Sequence, residues 1–150
     1  MVSLARKMDR AIKVLLVEDN LGDVTLIKEV FKASKRTIQI ERARDGEEAL
    51  NYLRGQGGFL QAGQPDLILL DLNMPKMTGQ EVLAEIKSDP NLKEIPVVVL
   101  TNSKLDADVQ KAYESQANFY IVKPTDLDEL FVAMRYVEDI WLRSVNGKAD

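Results

Sequence analysis

Short apolar runs alternate with amphipathic segments along this 150-residue chain, and that alternation is the strongest constraint on its fold. The clearest runs are Ile12 to Val17, Leu67 to Leu70 and Val97 to Leu100. Nearly continuous apolar runs of this length are typical of parallel strands that are covered on both faces. Two further runs, Ile38 to Glu41 and Phe119 to Val122, complete a set of five predicted strands.

Each predicted strand is followed by a segment whose apolar residues recur at helical spacing. The predicted helices cover Asp23 to Ser34, Asp45 to Arg54, the segment from Thr78 to about Asp89, Leu105 to Glu114, and Asp126 to about Arg143. Thr78 and Glu81 have the spacing of a capping box at the start of the third helix. Five strand–helix units in succession predict an α/β fold, a flavodoxin-like doubly wound (βα)5 domain with a five-stranded parallel sheet.

The second strand differs from the others because polar and apolar residues alternate in it, from Ile38 to Glu41. Alternation is typical of a half-exposed strand, so this strand belongs at an edge of the sheet. With right-handed crossovers, the expected strand order is 2-1-3-4-5. The winding then reverses between strands one and three, and open α/β sheets bind ligands beyond the strand ends at such a point.

Polar residues stand where the predicted strands end. Glu18 and Asp19 follow the first strand, Asp71 follows the third, Thr101 the fourth and Lys123 the fifth. Because the carboxyl ends of parallel strands lie at one edge of the sheet, we expect these side chains to meet there. Glu18, Asp19 and Asp71 end the two strands that flank the reversal.

The chain has no histidine and no cysteine, so imidazole and thiolate chemistry is excluded from any site. Three neighbouring carboxylates repel one another unless a cation neutralises them. Oxygen ligands at an open rim favour Mg²⁺. Each acid taken alone is equally compatible with stabilising the start of a following helix, but three at the reversal point favour a metal site.

A metal, a lysine and a hydroxyl around one aspartate suit a phosphoryl group, which presents three negative oxygens. Asp71 is the predicted nucleophile, and Lys123 and Thr101 are the predicted phosphoryl contacts. Taken singly, Lys123 is an ordinary surface lysine before a proline and Thr101 an ordinary β-branched strand end. The combination carries the prediction.

These residues resemble the receiver domain of two-component response regulators. The matching pieces are Leu-Val-Glu-Asp-Asn at 16–20, Leu-Leu-Asp-Leu-Asn-Met-Pro at 69–75, Gly79, Thr101 and Lys123-Pro124. The resemblance implies that Asp71 accepts a phosphoryl group from a phosphohistidine. It also implies that Thr101 and Lys123 contact that group and that Tyr120 is a switch aromatic. The implied Mg²⁺ ligands are Glu18, Asp19, Asp71 and the backbone carbonyl of Asn73.

Three segments are similar to single-domain regulators paired with cyanobacterial phytochromes: Asp23 to Phe31, the Gly-rich connection Gly55 to Pro65, and Val137 to Leu142. This narrower resemblance implies a sensor histidine kinase, a phytochrome among the candidates, as the partner. The expected organisation is a tail at 1–11, a receiver domain at 12–143 and a tail at 144–150. Output is then expected through a downstream protein or a phosphotransfer partner.

The last predicted helix has apolar residues on two faces. One face is expected to pack on the sheet, whereas Val132, Tyr136 and Ile140 lie at i, i+4 and i+8 on nearly the opposite face. Apolar residues on a solvent face indicate a contact, so a homodimer through the last helix and fifth strand is predicted. Singly scattered exposed apolar residues are the alternative.

The formal net charge of −4 disfavours DNA as a partner, and no apolar run is long enough to cross a membrane. A cytoplasmic signalling protein is expected, not an enzyme with turnover. Two rival functions are an aspartate-nucleophile phosphatase and a docking module that works without phosphorylation. Asn73 disfavours the phosphatase, because such enzymes usually carry a second Asp at that position; intact Asp71, Thr101 and Lys123 disfavour the docking module.

Overall fold

A computed structural model describes residues 11–59, 63–74, 77–101, 119–122 and 127–147 of the chain. For Phe59, Thr101, residues 119–122 and part of the last helix, it describes the backbone only. The predicted helix at Leu105 to Glu114, the residue Lys123 and the isomer of its bond to Pro124 lie outside this part of the chain.

The five strands form one parallel sheet in the order β2-β1-β3-β4-β5, which confirms the predicted topology. The strands are β1 (Ile12–Val17), β2 (Ile38–Ala43), β3 (Leu67–Asp71), β4 (Val97–Thr101) and β5 (Phe119–Val122). The helices described are α1 (Leu21–Phe31), α2 (Gly46–Arg54), α3 (Gly79–Ser88) and α4 (Leu127–Gly147), with a 3-10 turn at Gly57–Phe59.

Two apolar clusters cover the two faces of the sheet because alternate strand residues point to opposite sides. On β1, Leu15 and Val17 join the cluster under α2 and α3. Val14 and Leu16 join the cluster under α1 and α4. Strands β1, β3 and β4 are therefore buried on both faces, which explains why their sequences are almost wholly apolar.

Strand β2 lies at the sheet edge, as its alternating sequence predicts, and its residues alternate between half-buried and exposed as far as Arg42. Helices α3 and α2 have well-defined caps, of which the one at Thr78 was predicted. Thr78 caps α3 in a full capping box with Glu81. Gly55 ends α2 in the left-handed conformation, with φ of 64°, which glycine adopts without steric cost.

Helix boundaries differ from the sequence prediction in two places. Helix α1 begins at Leu21, earlier than predicted, because Asn20 accepts a hydrogen bond from the Asp23 N–H and acts as the N-cap. It ends at Phe31, before the predicted end at Ser34. Helix α4 runs to Gly147 and so extends past Arg143. None of the described helices combines the length and hydropathy that a bilayer span requires.

The packing of α4 is partly as predicted. Leu130, Met134 and Val137 are buried against the sheet, and Val132 is 64% exposed. Tyr136 differs from the expectation that it lies on the solvent face, since it is half-buried and packs against the cluster under α1 and α4. Its ring is large enough to reach that cluster from the flank of the helix. Ile140 lies further along α4, where the backbone alone is described.

Candidate functional site

The carboxyl ends of the strands lie in step at one edge of the sheet. Val17, the last residue of β1, pairs in register with Leu70 of β3. The residues that follow this pair, Glu18 and Asp71, therefore lie beside each other. Asp71 pairs with Leu100, and Thr101 pairs with Val122. The reversal point of the winding therefore falls where the sequence predicts it, between β1 and β3.

Glu18, Asp19 and Asp71 form a compact acidic cluster at that point. Each offers a carboxylate oxygen, and these oxygens all lie within 4.8 Å of one another. Glu18 and Asp71 are fully buried, whereas Asp19 is exposed. Two buried carboxylates at this separation repel each other when both are charged, and a bound cation would relieve that repulsion. Three carboxylates with one side open to water fit a hard divalent ion that keeps several of its waters.

Asp71 is held from two directions by the loop that follows it. One carboxylate oxygen, Oδ1, accepts a hydrogen bond of 3.0 Å from the Asn73 N–H. Gly79, at the start of α3, sits directly against the backbone after the strand: a Cβ there would meet the Asp71 carbonyl oxygen and come within 2.6 Å of the Leu72 Cα. Glycine at this position lets α3 begin directly against the backbone of Asp71 and Leu72.

The two acids after β1 lie in a loop, residues 18–20, that is attached to strand β2. The Glu18 N–H donates to the Ala43 carbonyl at 3.0 Å. The Arg42 guanidinium donates from Nε to the Glu18 carbonyl and from Nη2 to the Asp19 carbonyl, each at 3.0 Å. Arg42 was not among the site residues predicted from the sequence. A basic residue at the end of the edge strand, level with the acidic loop, is the signal that points to it.

Of the other predicted site residues, the structure places the backbone of Thr101 and Tyr120. Thr101 ends β4, and Tyr120 pairs with Val99 in the middle of β5. The backbone thus carries both to the same half of the sheet, and Thr101 to the edge that holds the acidic cluster. Lys123 lies outside the described residues. Asn73 is placed next to Asp71 by its backbone N–H, and its own side chain is exposed.

Comparison with known proteins identifies this arrangement. The family model for the response regulator receiver domain matches residues 14–135. The chain belongs to that family. Its members are signalling proteins, not enzymes in the ordinary sense. The match spans both acidic segments and every described strand from β1 to β5 except the first two residues of β1.

Individual members of the family are similar over nearly their whole length. The response regulator Rcp1 from Synechocystis sp. is 46% identical over 132 residues, which cover 88% of this chain and 90% of Rcp1. A crystal structure of the phosphorylated cyanobacterial phytochrome response regulator RcpA is 47% identical, covers 90% of this chain and 96% of its own, and superposes with a TM-score of 0.81.

A second solved structure bears on the metal. The Mn²⁺-bound form of Rcp1 is 46% identical, covers 87% of this chain and 94% of its own, and has a TM-score of 0.78. A divalent ion thus binds a close homologue. The acidic cluster of this chain offers the oxygen donors that such an ion requires.

Proposed function

We propose that this receiver is a phosphorylatable switch in which Asp71 accepts a phosphoryl group from a phosphohistidine on a partner sensor kinase. The observation that carries the proposal is the acidic cluster itself: Asp71 is buried at the reversal point of the sheet, within 4.8 Å of two further carboxylates. Burying a carboxylate beside two others lowers the stability of the fold, so a purely structural role does not explain it. It is useful where a metal and a phosphoryl group bring compensating charge and hydrogen-bond partners.

In the proposed reaction, a carboxylate oxygen of Asp71 attacks phosphorus. A P–O bond forms, the P–N bond to the donor imidazole breaks, and its electron pair returns to the imidazole nitrogen. The Asn73 N–H keeps the Asp71 carboxylate oriented throughout. The proposed ligands for Mg²⁺ are Glu18, Asp19, Asp71 and the backbone carbonyl of Asn73. The bound ion supplies positive charge to the transferring oxygens.

Thr101 and Lys123 are the proposed contacts of the phosphoryl oxygens, and Tyr120 is the proposed switch aromatic. The phosphoryl group adds about −1.5 to −2 charges at one point. Support comes from the backbone, because Thr101 ends the strand next to Asp71 and Tyr120 lies one strand further. New contacts to the added group then bias a two-state surface around β5 and the predicted helix at Leu105 to Glu114.

The proposed kinase partner is a phytochrome-type sensor. The support is the 47% sequence identity to RcpA, a cyanobacterial phytochrome response regulator. We further propose a cytoplasmic receiver domain at 12–143 between segments at 1–11 and 144–150, the second of which begins with the last turn of α4. Its output would pass by contact with a downstream protein or by onward phosphotransfer.

We also propose a homodimer through α4 and β5. Val132 supports it, as a β-branched apolar side chain that is 64% exposed on α4. The half-buried Tyr136 contributes less exposed surface than its helical position predicts, and Ile140 remains the third proposed contact.

The test of phosphorylation is intact mass after incubation with acetyl phosphate and Mg²⁺, alongside phosphate release. One adduct per chain is expected in the wild type and none in Asp71→Asn. Asp45→Asn is the matched control, because it removes a carboxylate near the same edge while Asn remains a good N-cap for α2. Its adduct should equal that of the wild type.

Other outcomes separate the rival functions. Phosphate release over many turnovers with no accumulated adduct would support a phosphatase. An adduct that persists in Asp71→Asn would place the acceptor elsewhere. Because some receivers reject small donors, a phosphohistidine-carrying kinase domain is the second donor, and failure with both donors would contradict the proposal.

A further inference from the structure

We propose that Arg42 is a positioning residue for the metal site, acting through the backbone of the acidic loop at residues 18–20. This inference rests on the proposed function, since it assigns a role toward the metal that the acidic cluster would hold. Arg42 is the last-but-one residue of the edge strand β2 and pairs in register with Leu16 of β1. Its half-buried side chain reaches across the end of β1 to the loop.

The guanidinium holds two successive carbonyls. Nε donates to the Glu18 carbonyl and Nη2 to the Asp19 carbonyl, both at 3.0 Å. The planar guanidinium presents its donors in a fixed fork, so two bonds from one group set the orientation of both peptide planes together. Bonds from a charged donor are also stronger than those between neutral groups.

The orientation of the peptide between Asp19 and Asn20 affects the buried side chain of Glu18. The Asp19 carbonyl and the Asn20 N–H belong to one planar trans peptide, so they point in opposite directions. With the carbonyl on Arg42, the N–H points at Glu18 Oε2 at 3.5 Å. The Glu18 N–H is itself fixed on the Ala43 carbonyl. Strand β2 thus sets the backbone from which both acids of the loop project toward Asp71.

Two effects of Arg42 on a metal oppose each other. Its positive charge repels a cation, whereas its hydrogen bonds hold the ligands in place before the cation arrives. The charge lies near the rim, where water screens it, whereas the two hydrogen bonds act together, each at an ordinary length of 3.0 Å. Groups that orient metal ligands typically change affinity by about 10- to 100-fold. Positioning is therefore expected to dominate.

The test compares Mg²⁺ affinity, measured by calorimetry, in Arg42→Gln, Arg42→Lys and Arg44→Gln. Arg44 is the matched control, because it is a neighbouring cation whose side chain is 72% exposed and bonds only to Glu48 among the contacts described for it. Both Arg42 variants should bind Mg²⁺ about tenfold more weakly or worse, Lys included, because one ammonium cannot reproduce the fork. Arg44→Gln should bind as the wild type does or slightly more tightly.

A second readout applies to the metal-free protein. Hydrogen exchange at the Asn20 amide should be faster in both Arg42 variants than in the wild type and unchanged in Arg44→Gln. If Arg42→Gln binds Mg²⁺ as tightly as the wild type, or more tightly, the positioning role is overturned while the metal site stands. If the wild type fails to bind Mg²⁺, the proposed function fails instead, and the exchange rates alone decide whether Arg42 holds the loop.

Discussion

Replacing Asp71 with Asn is expected to stabilise the metal-free protein, although Asp71 is fully buried. The substitution keeps the size and shape of the side chain. The amide oxygen of Asn can still accept the 3.0 Å hydrogen bond that Asp71 Oδ1 receives from the Asn73 N–H. Removal of one negative charge is therefore the main change.

The size of the effect follows from the geometry of the acidic cluster. Carboxylate oxygens of Glu18 and Asp71 lie within 4.8 Å, so their repulsion is about 3.5 kcal/mol at an effective dielectric constant of 20. The exposed Asp19 opens the cluster to water, which reduces this figure. A gain of about 1–3 kcal/mol in unfolding free energy is expected, or about 2–12 °C in the thermal midpoint for a chain of this size.

The assay is urea unfolding with EDTA and again with Mg²⁺. Wild type should gain about 2.7 kcal/mol at an Mg²⁺ concentration near 100 times Kd, and Asp71→Asn should gain far less. Asp45→Asn, which keeps an N-cap, should change neither value by more than about 0.5 kcal/mol. If Asp71→Asn is less stable than the wild type in EDTA and keeps the full Mg²⁺ gain, the electrostatic reasoning is refuted.

Four further predictions test the surrounding structure. Gly79→Ala should cost about 1–3 kcal/mol and slow phosphorylation of the aspartate, because a Cβ there collides with backbone, whereas Gly58→Ala, with open space around its Cβ, should do neither. Thr78→Ala should lower the unfolding free energy in urea by about 0.5–2 kcal/mol through loss of the α3 capping box. Burial raises the pKa of the Tyr52 phenol above 10.0, so the phenol ionises first in the unfolded state as pH rises past about 10. The wild type should therefore lose stability relative to Tyr52→Phe over that pH range. Equal dependence of the unfolding free energy on alkaline pH in the two proteins, measured in urea, would contradict this. Val132→Asp should give folded monomers by light scattering, with a thermal midpoint that no longer rises with protein concentration, and an undiminished dimer would remove Val132 from the interface.

The sheet was predictable from the sequence because strands that are buried on both faces consist almost entirely of apolar residues. The runs Ile12–Val17 and Phe119–Val122 match β1 and β5 residue for residue. The edge position of β2 was visible in its alternating residues. Parallel topology then brought Glu18 and Asp71 together, which required no information beyond strand order and register.

Features that depend on particular side-chain conformations were not predictable. Asn20 belongs to the acidic loop by sequence, yet its side chain also caps α1, which moves the helix start. Tyr136 has the helical position of a solvent-facing residue but turns toward the core. Arg42 lies on the same half-buried side of β2 as Ile38 and Ile40, where alternation predicts an apolar residue, and its two bonds to the acidic loop depend on the reach of one flexible side chain.

Asp71 is the proposed phosphoryl acceptor of a metal-dependent site. The most direct test is to phosphorylate the protein with a phosphohistidine-carrying kinase domain, reduce the acyl phosphate with borohydride and locate the modified residue by peptide mass spectrometry. Homoserine is expected at position 71 alone, with the yield abolished by EDTA and restored by Mg²⁺. Modification at another carboxylate, or an undiminished yield in EDTA, would contradict it.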